Sequence, residues 1–162
     1  MSQKMALLIT GCHADFYGSM KAVQVASRTD ARIHVLQLTE NLDDCLNTRK
    51  ILPPEELSDL IGLISWLSEI EGVTVSFHVF EKDAEREVVE FLRNNDITCV
   101  VAGVHDRQCL DQKRKWLQTL QRKLGSDKLW FQRSFQVLVT LPWDNVPFSQ
   151  ALRQLGYKKS NK

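Results

Sequence analysis

Asp96-Ile97-Thr98-Cys99-Val100-Val101-Ala102-Gly103-Val104-His105-Asp106-Arg107 decides how the chain is read. Its β-branched and small apolar residues follow one another without polar alternation, as in a strand covered on both faces. The run follows an amphipathic segment and ends on a glycine trailed by ionisable residues. That combination describes a central strand of a doubly wound parallel sheet. In such sheets ligands sit beyond the carboxyl ends of the strands, where the strand order reverses. Gly103 to Arg107 is therefore the first place to look for function.

Working towards the N-terminus, Val73 to Phe80 reads as a strand, and Asp83 is placed to cap a helix that turns Val88, Val89, Phe91 and Leu92 to the sheet and ends at Asn94-Asn95. Before that strand, Pro53-Pro54 and Glu55-Glu56 open a helix with a stripe of Leu57, Leu60, Ile61, Ile64, Leu67 and Ile70, closed by Gly72. A long polar connection, Thr39 to Leu52, separates it from a strand at Arg32 to Leu38. The chain opens with a strand at Met5 to Thr10, a polar loop from Cys12 to Tyr17, and a helix from about Gly18 to Arg28 carrying Met20, Val23 and Ala26.

Working towards the C-terminus, Leu110, Leu117, Leu120 and Leu124 mark a helix over about 108–124, broken at Gly125-Ser126. Phe135 to Leu141 is a fifth strand, and Val146 to Leu155 a short closing helix. Strands and helices alternate, and right-handed crossovers then require parallel strands with helices on both faces. The expected fold is α/β: a doubly wound, Rossmann-like five-stranded parallel sheet of order 3-2-1-4-5. Its switch point falls between strands one and four. The α/β domain is expected over 1–144, with 145–162 a helical extension and frayed tail.

Composition bounds the function. Of 162 residues, 43% are hydrophobic and 25% charged, as in a globular domain. The 21 basic and 20 acidic residues leave a formal charge of +1, without the basic surplus of a nucleic-acid binder. Lys113-Arg114-Lys115 and Arg122-Lys123 read as a solvated helix face. The apolar run Met5 to Ile9 is too short for a signal core or a membrane span. A cytoplasmic protein is expected, with Cys12, Cys45, Cys99 and Cys109 reduced.

The succession resembles the universal stress protein family over residues 5 to 141. Val75 to Asp83, Glu87 to Leu92 and Asp96 to Arg107 look like that family's run of strand, turn, helix, aspartate, hydrophobic strand and Gly-x-x-Gly-Arg. Phe135 to Thr140 looks like its terminal strand. The resemblance implies an adenine-nucleotide site, and here Thr10, Gly11, Gly103, His105, Arg107 and Ser126 would line it. Two departures imply weakened or lost ATP binding. Thr10-Gly11-Cys12 stands where nucleotide-binding members carry aspartate, glycine and serine, and Asp106 replaces the second glycine. A carboxylate beside a polyphosphate repels it where bare backbone N–H groups are wanted. The family dimerises through its last strand, so a homodimer through residues 135–141 is expected. Trp130, Phe131 and Trp143 would cover that edge or join the interface.

The same crevice supports a second reading. Cys12, His13 and Asp15 after strand one would face His105, Asp106 and Cys109 after strand four, and these are zinc-type or nucleophilic residues. Without a C-x-x-C or H-x3-H pair to fix metal geometry, an enzyme or metal site there is the alternative, not the first choice. A purely structural interaction domain comes third. His34 and His78 fall inside strands and are expected to be packing or edge residues.

Overall fold

A computed structural model describes residues 3–11, 14–38, 54–97, 99–103, 115, 118–119, 122–123 and 136–140. In chain order these form β1 (Lys4–Ile9), α1 (Ala14–Thr29), β2 (Arg32–Leu38), α2 (Pro54–Glu71), β3 (Val75–Phe80), α3 (Ala84–Asn94), β4 (Cys99–Gly103) and β5 (Gln136–Thr140). The five strands make one sheet of order β3-β2-β1-β4-β5, with every neighbouring pair parallel. The expected topology and its reversal between β1 and β4 are both present. Lys115, Gln118, Thr119, Arg122 and Lys123 are helical, in line with the helix read over 108–124. The closing helix at Val146 to Leu155 and the extension 145–162 lie outside the described residues, as do Trp130, Phe131, Phe135 and Trp143.

Parity along the strands sorts the core into two layers. Met5, Leu7 and Ile9 of β1, Ile33 and Val35 of β2 and Val101 of β4 pack against Phe16, Ala22, Val23 and Ala26 of α1 and Leu60, Leu63 and Ile64 of α2. Ala6, Leu8, Leu36, Leu38, Val100 and Ala102 turn the other way, onto Ala84, Val88, Val89 and Leu92 of α3. Because β1 and β4 are covered on both faces, their sequences show no polar alternation. Each fully buried Leu or Ile contributes about 1.5–3 kcal/mol, so these two layers carry the hydrophobic stabilisation among the described residues.

Helices α1, α2 and α3 end in the same way. The N–H of Ala31 donates to the Ala26 carbonyl, that of Val73 to Ser68, and that of Ile97 to Leu92. In each case the residue just before that donor is left-handed: Asp30 at φ 54°, Gly72 at φ 69° and Asp96 at φ 55°. These are Schellman endings, which satisfy the last carbonyls and turn the chain back towards the sheet. Glycine does this without strain, and aspartate is one of the few other residues that tolerates it.

Three local expectations change. First, α1 starts at Ala14 and not near Gly18, so Ala14 to Tyr17 is helix and not loop; Asp15 folds back onto the end of β1 and supports that first turn. Second, Ile70 is 60% exposed. It sits about 120° around the helix from Ile64 at 3.6 residues per turn, while Leu63, outside the expected stripe, is fully buried. Third, Asp83 occupies the N-cap position of α3 in a left-handed conformation, but its side chain makes no capping bond.

Candidate functional site

The crevice is built from the ends of β1 and β4, which run in parallel register up to Leu8 opposite Ala102. Beyond the last paired residues come Ile9, Thr10 and Gly11 on one side and Gly103 on the other. Gly11 is left-handed at φ 84°, a conformation glycine adopts without penalty, and this turns the chain sharply out of β1. The helix then passes directly beneath the end of β4. At Gly18 a side chain would meet backbone atoms directly, because a Cβ there would lie 2.9 Å from the Gly103 nitrogen and 3.3 Å from its Cα. Helix α1 and strand β4 are therefore in contact backbone to backbone beneath the mouth of the crevice.

Asp15 holds the β1 end together. Its Oδ2 accepts the N–H of Thr10 at 3.0 Å and that of Gly11 at 2.7 Å, and its Oδ1 lies 3.4 Å from the Thr10 hydroxyl. The Ser19 hydroxyl donates to the Asp15 carbonyl at 2.6 Å. Asp15 is completely buried and Thr10 nearly so. A carboxylate taken out of water must be satisfied by donors, and the strand-end amides supply them. Sequence reasoning placed Asp15 in the crevice but missed this role. The available signal was the spacing, since an aspartate in the first helical turn lies within reach of the preceding turn's amides.

Of the nucleotide-site residues read from sequence, Thr10, Gly11 and Gly103 are thus brought to one crevice. His105, Arg107 and Ser126 lie outside the described residues, and so do Cys12, His13, Asp106 and Cys109 of the alternative cluster. Among the described residues no three His, Cys, Asp or Glu side chains converge as a metal site. Cys99 has its thiol pushed up by burial, which disfavours the reactive thiolate. Among the described residues no helix is long and apolar enough to cross a membrane.

No family model and no curated protein sequence matches the chain, so the comparison rests on three-dimensional structure. A universal stress protein family structure from Burkholderia pseudomallei superposes with a TM-score of 0.51 at 14% identity, covering 85% of this chain and 95% of that one. The fold is that of the universal stress proteins. A universal stress protein in complex with cAMP matches with a TM-score of 0.52 at 12% identity, over 85% of this chain and 96% of that one. A family protein from Arabidopsis thaliana with AMP bound matches with a TM-score of 0.50 at 13% identity, over 92% of this chain and 98% of that one. At such identities the universal stress protein fold is what is shared.

A second polar group lies away from the crevice. On the α3 side of the sheet, His34 Nδ1 of β2 lies 3.3 Å from His78 Nε2 of β3 and 3.0 Å from the Ser76 hydroxyl. The Phe91 ring packs on both imidazoles, with centroids 5.4 and 4.5 Å away. Both histidines are packing residues, as expected from sequence. Their pairing becomes visible only with the register, in which His34 stands opposite Ser76 and Leu36 opposite His78.

Proposed function

We propose that the chain is a regulatory, adenine-nucleotide-binding module of the universal stress protein kind, with weak affinity for ATP. The supporting observation is the reversal of strand order between β1 and β4, in a fold whose solved examples include one in complex with cAMP and one with AMP bound. Thr10, Gly11 and Gly103 form the floor of that crevice, and His105, Arg107 and Ser126 are assigned to it from sequence. Two features weaken the site. The Thr10 and Gly11 amides already serve Asp15, so they are not free to meet phosphate. Asp106 adds a negative charge whose repulsion grows with each phosphate of the ligand.

Calorimetry with Mg-ATP, AMP and cAMP tests this. The expected Mg-ATP dissociation constant is weaker than about 100 μM, with the monophosphates bound more tightly, and Asp106→Gly should improve Mg-ATP most. Low-micromolar ATP binding, about −8 kcal/mol, would overturn the weakened site. No binding of any adenine nucleotide would overturn the module. Of the residues in the enzyme or metal-site alternative, Asp15 is completely buried and engaged by the β1-end amides, while Cys12, His13, His105, Asp106 and Cys109 lie outside the described residues.

The α/β unit is taken to span 1–144, followed by the helical extension 145–162, in a cytoplasmic homodimer. Support for the dimer is the outermost place of β5 in the sheet. Gln136 to Thr140 holds no charge or proline to blunt the edge. A two-fold pairing of β5 with its copy would satisfy the outer N–H and C=O groups. Light scattering on the full chain should return twice the mass of one chain, and a well-folded monomer would exclude the pairing.

A further inference from the structure

We propose that His34 and His78, with Ser76, form an acid-sensitive latch that holds the outer edge of the sheet, β2 and β3, beneath Phe91 of α3. His34 is only 7% exposed, and its two ring nitrogens differ. Nδ1 is shared between the Ser76 hydroxyl and His78 Nε2, whereas Nε2 is buried with no hydrogen-bond partner. A neutral ring suits this arrangement, because its single proton sits on Nδ1 and is accepted across the strands. A second proton has to go onto Nε2, where nothing accepts it. It also brings a positive charge against His78, whose own protonation would remove the acceptor.

The surrounding charges push the same way. Lys4 of β1, Arg32 of β2 and His78 of β3 all bear on His34 as cations. From α3 the pair meets the Phe91 ring. The acidic residues of that helix are engaged or turned outward: Glu85 pairs with Lys123, Glu90 with Arg86, and Glu87 is exposed. Among the described residues, no carboxylate is among the charges acting on His34. Burial first, then these cations, lower its pKa to about 4, and burial lowers that of His78. The same surroundings argue against a metal cation between the imidazoles, although two histidine nitrogens at this spacing are ligand types that zinc accepts.

The unfolded chain, with histidine near pH 6.5, binds more protons than the folded one between about pH 6.5 and 4, so stability falls as pH drops through that window. For His34 alone the unfolding equilibrium constant should rise about 30-fold from pH 7.5 to pH 5, and His78 adds in the same sense. The test compares the full chain with a His34→Asn/His78→Gln variant, which keeps hydrogen-bonding amides in place of both rings. His34→Gln alone, which removes the larger of the two proton-linked contributions, serves if the double variant does not fold. His13 and His105 are unchanged in all of them, so the difference reads the pair. Urea unfolding at the two pH values should show the acid loss in the parent chain and a much smaller one in the variant. Amide exchange, corrected for intrinsic rates, should accelerate at pH 5 in β3 and around Phe91 more than in β1. Parallel acid loss in parent and variant, or acceleration spread evenly over β1 and β3, would overturn the latch.

Discussion

Gly18→Val is expected to destabilise the protein by about 3 kcal/mol. The first carbon added would fall 2.9 Å from the Gly103 nitrogen, and backbone at the end of a central strand cannot swing aside as a flexible side chain can. Overpacking of this kind costs about 1–3 kcal/mol, and the branch at Val adds stiffness within the helix. Gly18→Ala is the more informative comparison. Alanine in mid-helix is favoured over glycine by about 1 kcal/mol, so a net loss in that variant isolates the steric contact. Urea unfolding monitored by circular dichroism, with an unchanged slope, measures both. A stabilised Gly18→Ala protein would mean that α1 and β4 stand further apart in solution.

Asp15→Ala should have a comparable effect, about 3 kcal/mol, for an electrostatic reason. It strips the acceptor from the Thr10 and Gly11 amides and from the Thr10 hydroxyl, and each buried donor left unpaired costs about 1–3 kcal/mol, part of which entering water recovers. Asp15→Asn keeps one oxygen for the amides and should cost about half as much. The ordering Ala worse than Asn, with Asn worse than the parent, is the result to look for in thermal unfolding. Equal stability of all three would show that solvent already serves the β1 end. The pair of variants also bears on the crevice, because freeing the two amides would open a place for an external anion.

The strand order was legible because β1 and β4 are sandwiched and read as unbroken apolar runs, and because the long connection from Thr39 to Leu52 takes the chain outward through β2 and β3 before it returns to β4; the exposure of Phe77 and Val79 at the edge, 42% and 57%, was not. Pattern alone also gave the starts and stops of α2 and α3 to within a residue or two. The start of α1 was hidden, since Ala14-Asp15-Phe16-Tyr17 carries the polar and aromatic mix of a loop, and only the carboxylate's reach back to Thr10 and Gly11 makes it helix. The crevice was legible as a place but not as a chemistry, because side chains that meet across two strands are set by register. The histidine pair was invisible for the same reason: His34 and His78 become neighbours only when β2 and β3 are aligned.

The placement of β1 in the middle of the sheet has a consequence for the chain as it is made. Of the sheet's five strands it is the first to be made, and β2 and β3 can join one flank early. Its other flank closes only when the run around Cys99 arrives to pair with Met5. At ordinary elongation rates that interval is on the order of ten seconds. Throughout it, the most apolar strand of the nascent protein has an open side, and the right partner for it has not yet been translated.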